Sequence, residues 1–402
     1  MGNEDHLWPE LAQLVSLIVQ QQTSTRAELA RITGLARSTV SQRIDELLSL
    51  GVLIEAGDAP SSGGRRPTLL ALNPAAGVVL AADLGATHVR VAMATLGGQP
   101  EAERGIEIGV AESPDSVLAW LIDRFYEMLE EKGRSLQDVK AIGMCVPGLV
   151  EFATGTVVHA LLQSWDGVVL PELFSRHFEV PVFVDNDANV MGLGEYWSRG
   201  LVNEQLLFVK VATGIGCGII THGQVHRGAD DAAGDIGHVR VAVEEDAVCS
   251  CGNLNCLEAV ASGAALARQL SAQGLAVQRA SDVVRLSRAG DARALRLVHV
   301  AGQRIGEVLA SLVTFYNPRR IIVGGALAVL QDTLLSGMRS VIHEQAPSFA
   351  TRRLTIETTA CGHRSAVLGA TILGAHGALS AGGISDWVRV GRPSVLPGLP
   401  SV

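Results

Sequence analysis

Lysine is nearly missing from this chain of 402 residues: it stands only at 132, 140 and 210, and 29 of the 32 basic residues are arginine. With its abundant Ala and Gly, this bias reflects a GC-rich coding sequence rather than a function. Positive charge is short as well. A formal net charge of −9 excludes a protein that coats nucleic acid or anionic membrane without specificity. The first 75 residues, with six Arg against eight Asp and Glu, are no exception, so any DNA binding there needs a local basic face. There is no apolar run of about 18 residues to span a bilayer. The acidic start Met1-Gly2-Asn3-Glu4-Asp5 is the opposite of a secretory leader. Cysteines number six, three of them between 249 and 256. That clustering speaks for metal binding in a reducing cytosol and against a disulfide framework. A cytoplasmic protein with no membrane partner is expected. A composition 48% hydrophobic and 18% charged excludes disorder, and the length implies two or three packed units.

The first unit reads as helical. Leu11, Leu14, Val15 and Ile18 recur at helical spacing. Thr25 and Glu28 form a capping-box pattern ahead of a second short helix, and Gly34 marks a turn. A third helix from about Ala36 places Val40, Ile44, Leu47 and Leu48 inward and stops at Leu50-Gly51. Three helices with a glycine turn before the third predict a helix-turn-helix. Its outward face carries Arg37, Ser38, Thr39, Gln42 and Arg43, donors and acceptors suited to base edges and phosphates. Two short strands, Val52-Leu53-Ile54 and Thr68 to Leu72, flank a Gly/Ser stretch ending in Arg65-Arg66-Pro67. They predict a wing whose arginines enter a narrow minor groove. A solvated protein-interaction module is the alternative, and the wing tells against it.

After Asn73-Pro74 the pattern changes to buried strands that end in small or polar residues. Val78 to Ala82 leads into Asp83-Leu84-Gly85-Ala86-Thr87 and a returning strand at Val89 to Ala94. Such a turn either closes a hairpin or cradles phosphate, with Asp83 positioning a hydrated cation. A second strand ends at Val146-Pro147-Gly148. A third, Val180 to Val184, runs into Asp185-Asn186-Asp187-Ala188-Asn189. Further Gly-rich strand ends occur at Thr213-Gly214-Ile215-Gly216 and Val323-Gly324-Gly325, which makes a nucleotide-type cleft plausible. The sharpest chemical signal is Cys249-x-Cys251-x4-Cys256 with His238 upstream. One nitrogen and three sulfurs complete a closed tetrahedral zinc shell, which is a structural site.

These motifs, together with Gly234-x-x-Gly237-His238 and Cys256-Leu257-Glu258, closely resemble the ROK family (repressors, open reading frames, kinases) from about Val78 to Leu379. The winged helix in front resembles the repressor branch. The resemblance implies an α/β fold: a winged helix-turn-helix over 1–75, a two-lobed actin-like, sugar-kinase-like domain with a cleft over 76–385, and a loose tail over 386–402. It implies sugar contacts from Asn186, Asp187, Asp235, His238 and Glu258, with Asp187 the catalytic base of kinase members. Asp83, Gly85, Thr87, Thr213, Gly214, Gly216, Gly324 and Gly325 would be the nucleotide-phosphate loops, serving ATP and Mg2+ if activity survives. Two departures weigh against catalysis: Asp235 where the family has Glu, and Ala86 where it has a second Gly. The expected protein is a sugar-responsive regulator, a homodimer or tetramer on a double-stranded operator. The alternative is an active sugar kinase with an appended DNA-binding domain.

Overall fold

In the computed structural model the described residues are 7–21, 24–59, 66–107, 113–160, 163–244 and 246–390. They divide into two compact units, 1–185 with 370–402, and 186–369.

The first unit opens with helix α1 (Leu7–Gln21), which buries Leu11, Leu14, Val15 and Ile18 as their spacing predicts. A short strand β1 (Ser24–Thr25) precedes α2 (Arg26–Thr33). The capping box closes both ways: Glu28 N donates to Thr25 Oγ1 at 3.2 Å, and Thr25 N donates to Glu28 Oε2 at 2.9 Å. Gly34, at φ +72, ends α2 in the left-handed conformation that a residue with a Cβ resists. Helix α3 (Arg37–Ser49) buries Val40, Ile44 and Leu47. Strands β2 (Leu53–Asp58) and β3 (Thr68–Leu72) pair antiparallel, and β1 adds to the other side of β3. This is the predicted winged helix-turn-helix.

Its core is not closed on itself. The cluster holding Leu11, Leu14, Leu29 and Ile44 also contains Val79, Leu96, Ala141, Ala375, Ala378, Leu379 and Ile384. Val79 comes from β4 (Val78–Leu84) and Ala141 from β7 (Val139–Val146). The boundary expected near residue 75 is therefore a change of topology and not a break in packing. In the sheet of this lobe, β4 pairs antiparallel with β5 (Val89–Thr95), which pairs with β6 (Pro100–Ile106). On its other side β4 runs parallel to β7, and β10 (Val182–Asn186) forms the far edge. Helix α4 (Pro114–Glu131) covers one face with Leu121, Phe125 and Met128, packed among Leu80, Ala82 and Met144.

The opposite face takes residues 370–378 of helix α13 (Ser365–Ala378). A Cβ at Gly143 would lie 1.9 Å from the Ala370 carbonyl oxygen, so helix and strand meet only because that residue is glycine. The tail expected from 386 instead begins as helix α14 (Ala381–Val390). Ile384 is fully buried, and Trp387 packs on the same core, giving this segment an apolar face to bury. Residues 391–402 lie outside the described set.

The second unit begins with α6 (Asp187–Ser198) and has a second five-stranded sheet. Strand β11 (Gln205–Val211) is central, antiparallel to β12 (Ile215–Thr221) and parallel to β14 (Arg320–Gly324). Strands β13 (Gln224–Val225) and β15 (Thr355–Thr358) form its edges. The short helix α7 (Leu257–Ala261) follows the cysteine loop. The long α10 (Ala292–Tyr316) packs on α11 (Gln331–Gln345) through Gly302 and Gly337, where an added Cβ would meet backbone at 2.3 and 2.4 Å.

Candidate functional site

The polar tip predicted after the third strand is shared between two elements. Asn186 ends β10 and caps α6, its Oδ1 accepting from Ala188 N at 2.9 Å. Asp187 is the first residue of the helix, and its carboxylate accepts a short charged hydrogen bond from Lys210 of β11. Lys210 is absent from the motif-based expectations. Its signal in the sequence is its rarity, one of three lysines among 32 basic residues.

The other implied sugar contacts gather at the turn between β11 and β12. The Ile215 amide donates to Glu258 Oε2 at 2.9 Å, and a Cβ at Gly214 would lie 2.3 Å from that same oxygen. Gly237 packs its Cα against the Ile215 carbonyl, which brings Asp235 and His238 beside the turn. Asp235 Oδ1 stands 4.0 Å from His238 Nε2, beyond a direct hydrogen bond. The shorter aspartate does not reach the ring.

The zinc expectation meets a precise geometry. One ligand atom each from His238, Cys249, Cys251 and Cys256 lies within 4.8 Å of all the others. Cys251 Sγ and Cys256 Sγ are 3.7 Å apart, and Cys249 Sγ is 3.5 Å from His238 Nδ1. Metal–sulfur bonds of about 2.3 Å and a metal–nitrogen bond of about 2.0 Å in a tetrahedron give edges of about 3.8 and 3.5 Å. The donor set fits a tetrahedral soft-ligand metal. The thiols differ in character: the Asn253 amide pulls Cys251 down to about 7, while burial pushes Cys256 up to about 12.

The loops read as phosphate cradles are engaged with the protein itself. Asp83, 3% exposed, accepts from His88 Nε2 at 3.0 Å and from Cys145 Sγ at 3.4 Å. The Gly85 amide donates to the His88 carbonyl at 2.8 Å, closing an ordinary hairpin turn. The His88 ring lies where a Gly85 Cβ would be, with Cε1 at 2.3 Å. Thr87 is exposed on that turn. Gly324 is glycine because the Phe208 ring occupies its Cβ position at 2.3 Å, and Gly325, at φ +88, lies against the Val211 carbonyl. Thr213 is exposed, its carbonyl accepting from Ala264 N at 3.2 Å. A Cβ added at Gly85, Gly214, Gly324 or Gly325 would thus meet protein atoms at 2.3 to 2.6 Å.

On the winged helix, Arg37, Ser38 and Gln42 are exposed and Thr39 is half-buried. Arg43 departs from the expected face: its Nε donates to Glu10 Oε2 of α1 at 2.8 Å, with the side chain only 13% exposed. An arginine held in that pair ties α3 to α1 and is not presented to a groove. Arg66 is exposed, and Arg65 lies outside the described residues.

Residues 79–376 match the family model described as ROK family, and 13–54 match a winged helix-turn-helix DNA-binding model. The chain belongs to the ROK family. A putative xylose repressor of Caldicellulosiruptor sp. is 31% identical over 89% of this chain and 92% of its own length. A glucokinase of Halalkalibacterium halodurans is 31% identical over 64% of this chain and 82% of its own. Among solved structures, a ROK family transcriptional regulator homologous to the Escherichia coli MLC protein superposes at TM-score 0.80. It covers 96% of this chain and all of its own, at 23% identity, and so speaks for the fold. The glucokinase matches less of this chain than the repressor does, 64% against 89%.

Proposed function

We propose that this ROK protein is a sugar-responsive DNA-binding regulator, most simply a repressor, of carbohydrate-metabolism genes. The observation that carries the reading is the winged helix itself, packed into the core of the first ROK lobe with α3 leaving Arg37, Ser38 and Gln42 exposed. The sugar would be met by Asn186, Asp187, Asp235, His238 and Glu258. Zinc held by His238, Cys249, Cys251 and Cys256 would fix the loop that carries His238, a metal locking its ligand's ring orientation. The metal's contribution is structural, since four protein donors leave no open position.

Regulation requires that the sugar bind one arrangement of the protein better than the other. Two copies would read two half-sites about one helical turn or a multiple apart, in the cytoplasm. Catalysis is not part of this proposal, because Asp235 stands where the family has Glu and Ala86 where it has a second Gly.

Calorimetric titration with D-xylose, D-glucose and N-acetyl-D-glucosamine, with ADP formation followed in the same samples, tests the reading. Binding without turnover, together with sugar-dependent change in operator affinity, is the expected result. ADP formed at an ordinary enzymatic rate, above about 1 per second, would replace it with the kinase reading that Asp187 and the glucokinase relative represent.

A further inference from the structure

Lys210 meets Asp187 at the implied sugar site although no family motif brought it there, and its setting is specific. It stands on β11 opposite Gly216 of β12 and beside Gly324 of β14. Gly216 sets no side chain opposite its stem on β12, while the Phe208 ring fills the space over Gly324. Gly216 and Gly218 also let α6 descend onto β12. A Cβ at Gly218 would lie 2.3 Å from the Ala188 carbonyl oxygen, and one at Gly216 would lie 3.3 Å from the Ala188 Cβ. The first turn of α6 is thereby lowered to where the Lys210 ammonium meets Asp187, with the two side chains 20% and 10% exposed.

Composition sharpens the point. Arginine fills 29 of 32 basic positions, yet this one keeps lysine. A guanidinium is a broad planar fork, whereas an ammonium is a compact point charge. The space between Gly216, the Phe208 ring and a helix terminus suits the second.

We propose that Lys210 is a positioning and specificity residue of the sugar site. It holds the Asp187 carboxylate in one orientation as a fixed hydroxyl acceptor. Its charge also neutralises that of Asp187, so that a cationic amino sugar binds less well, relative to a neutral one, than it would without Lys210. This inference rests on the sugar-binding reading above, and its test separates the two.

Dissociation constants for D-xylose, D-glucose, N-acetyl-D-glucosamine and D-glucosamine would be measured at slightly acidic pH, where the amine of D-glucosamine is protonated. The proteins are the wild type, Lys210→Met, Asp187→Asn and the double variant. In Lys210→Met the best neutral sugar should bind about 10-fold more weakly, while the ratio of glucosamine to glucose affinity rises about 10-fold. Because Lys210 acts through Asp187, the double variant should be no weaker than Asp187→Asn alone. Losses that multiply to about 100-fold, or an unchanged affinity ratio, would overturn the proposal. A buried carboxylate stripped of its partner can unfold a protein. If Lys210→Met does not fold by circular dichroism, the double variant carries the comparison: parity with Asp187→Asn supports the proposal, and a further loss overturns it. Failure of all four sugars to bind the wild type would instead overturn the sugar reading, and this inference with it.

Discussion

Glu195, the most deeply buried carboxylate among the described residues of the second unit, shows how much single side chains carry. It is fully buried on α6 and accepts from the Cys361 amide at 2.9 Å, the Ala360 amide at 3.2 Å and Arg199 Nε at 2.8 Å, with Thr359 Oγ1 also donating. Burial pushes its carboxyl up, but Thr359, Arg199 and the two amides outweigh that and hold it below the ordinary value. A carboxyl lowered on folding stabilises the native state above its unfolded value of about 4.3, and that contribution is lost as pH falls through the folded value. Glu195→Gln should therefore cost about 3 kcal/mol at pH 7 in chemical denaturation, and the difference from wild type should shrink on acidification. Equal stability at pH 7 would mean that the hydrogen-bonded ring tolerates an amide. Glu258→Gln addresses function: sugar response should fall while sugar-free operator affinity stays. Collapse of operator affinity would make Glu258 a structural partner of the Ile215 amide. Cys251→Ser should reduce zinc from about one per chain, as read by elemental analysis of the purified protein.

At the scale of elements, much of the chain was legible before any coordinates. Helical spacing in α1, the capping box of α2, Gly34 and the buried strands β4, β7 and β11 all lie where periodicity and turn chemistry placed them. The metal-ligand quartet was legible because its three cysteines are close in sequence, with His238 a short loop upstream. Side-chain partners across long separations were not. Nothing in the pattern near residue 43 reports that Glu10 waits for Arg43, or that Glu258 fills the turn after β11. The same holds for α14, whose apolar face has meaning only beside α1. The wing belongs to this scale as well. Changing Arg65 and Arg66 to Ala should weaken operator binding and flatten its salt dependence by about two phosphate contacts' worth of slope. An unchanged affinity in a gel-shift titration would remove the wing from the interface.

For the molecule as a whole, the winged helix and the first lobe share apolar core. Val79 and Ala141 from the lobe's sheet, and Ile384 from the C-terminal helix, complete the packing that Leu11, Leu14 and Ile44 begin. Ile384→Ala should cost about 3 kcal/mol for a fully buried large aliphatic, and it should loosen the winged helix along with the tail. Amide exchange in α1 would report this; exchange confined to α14 would show the two to be independent. The same feature bears on how such a regulator can diversify. A reader joined by a flexible tether can be exchanged for another by recombination at the tether. Here a graft at residue 75 would leave apolar side chains of the sheet without their cover, so a new operator preference is more readily reached by changing the exposed residues of α3 than by replacing the module.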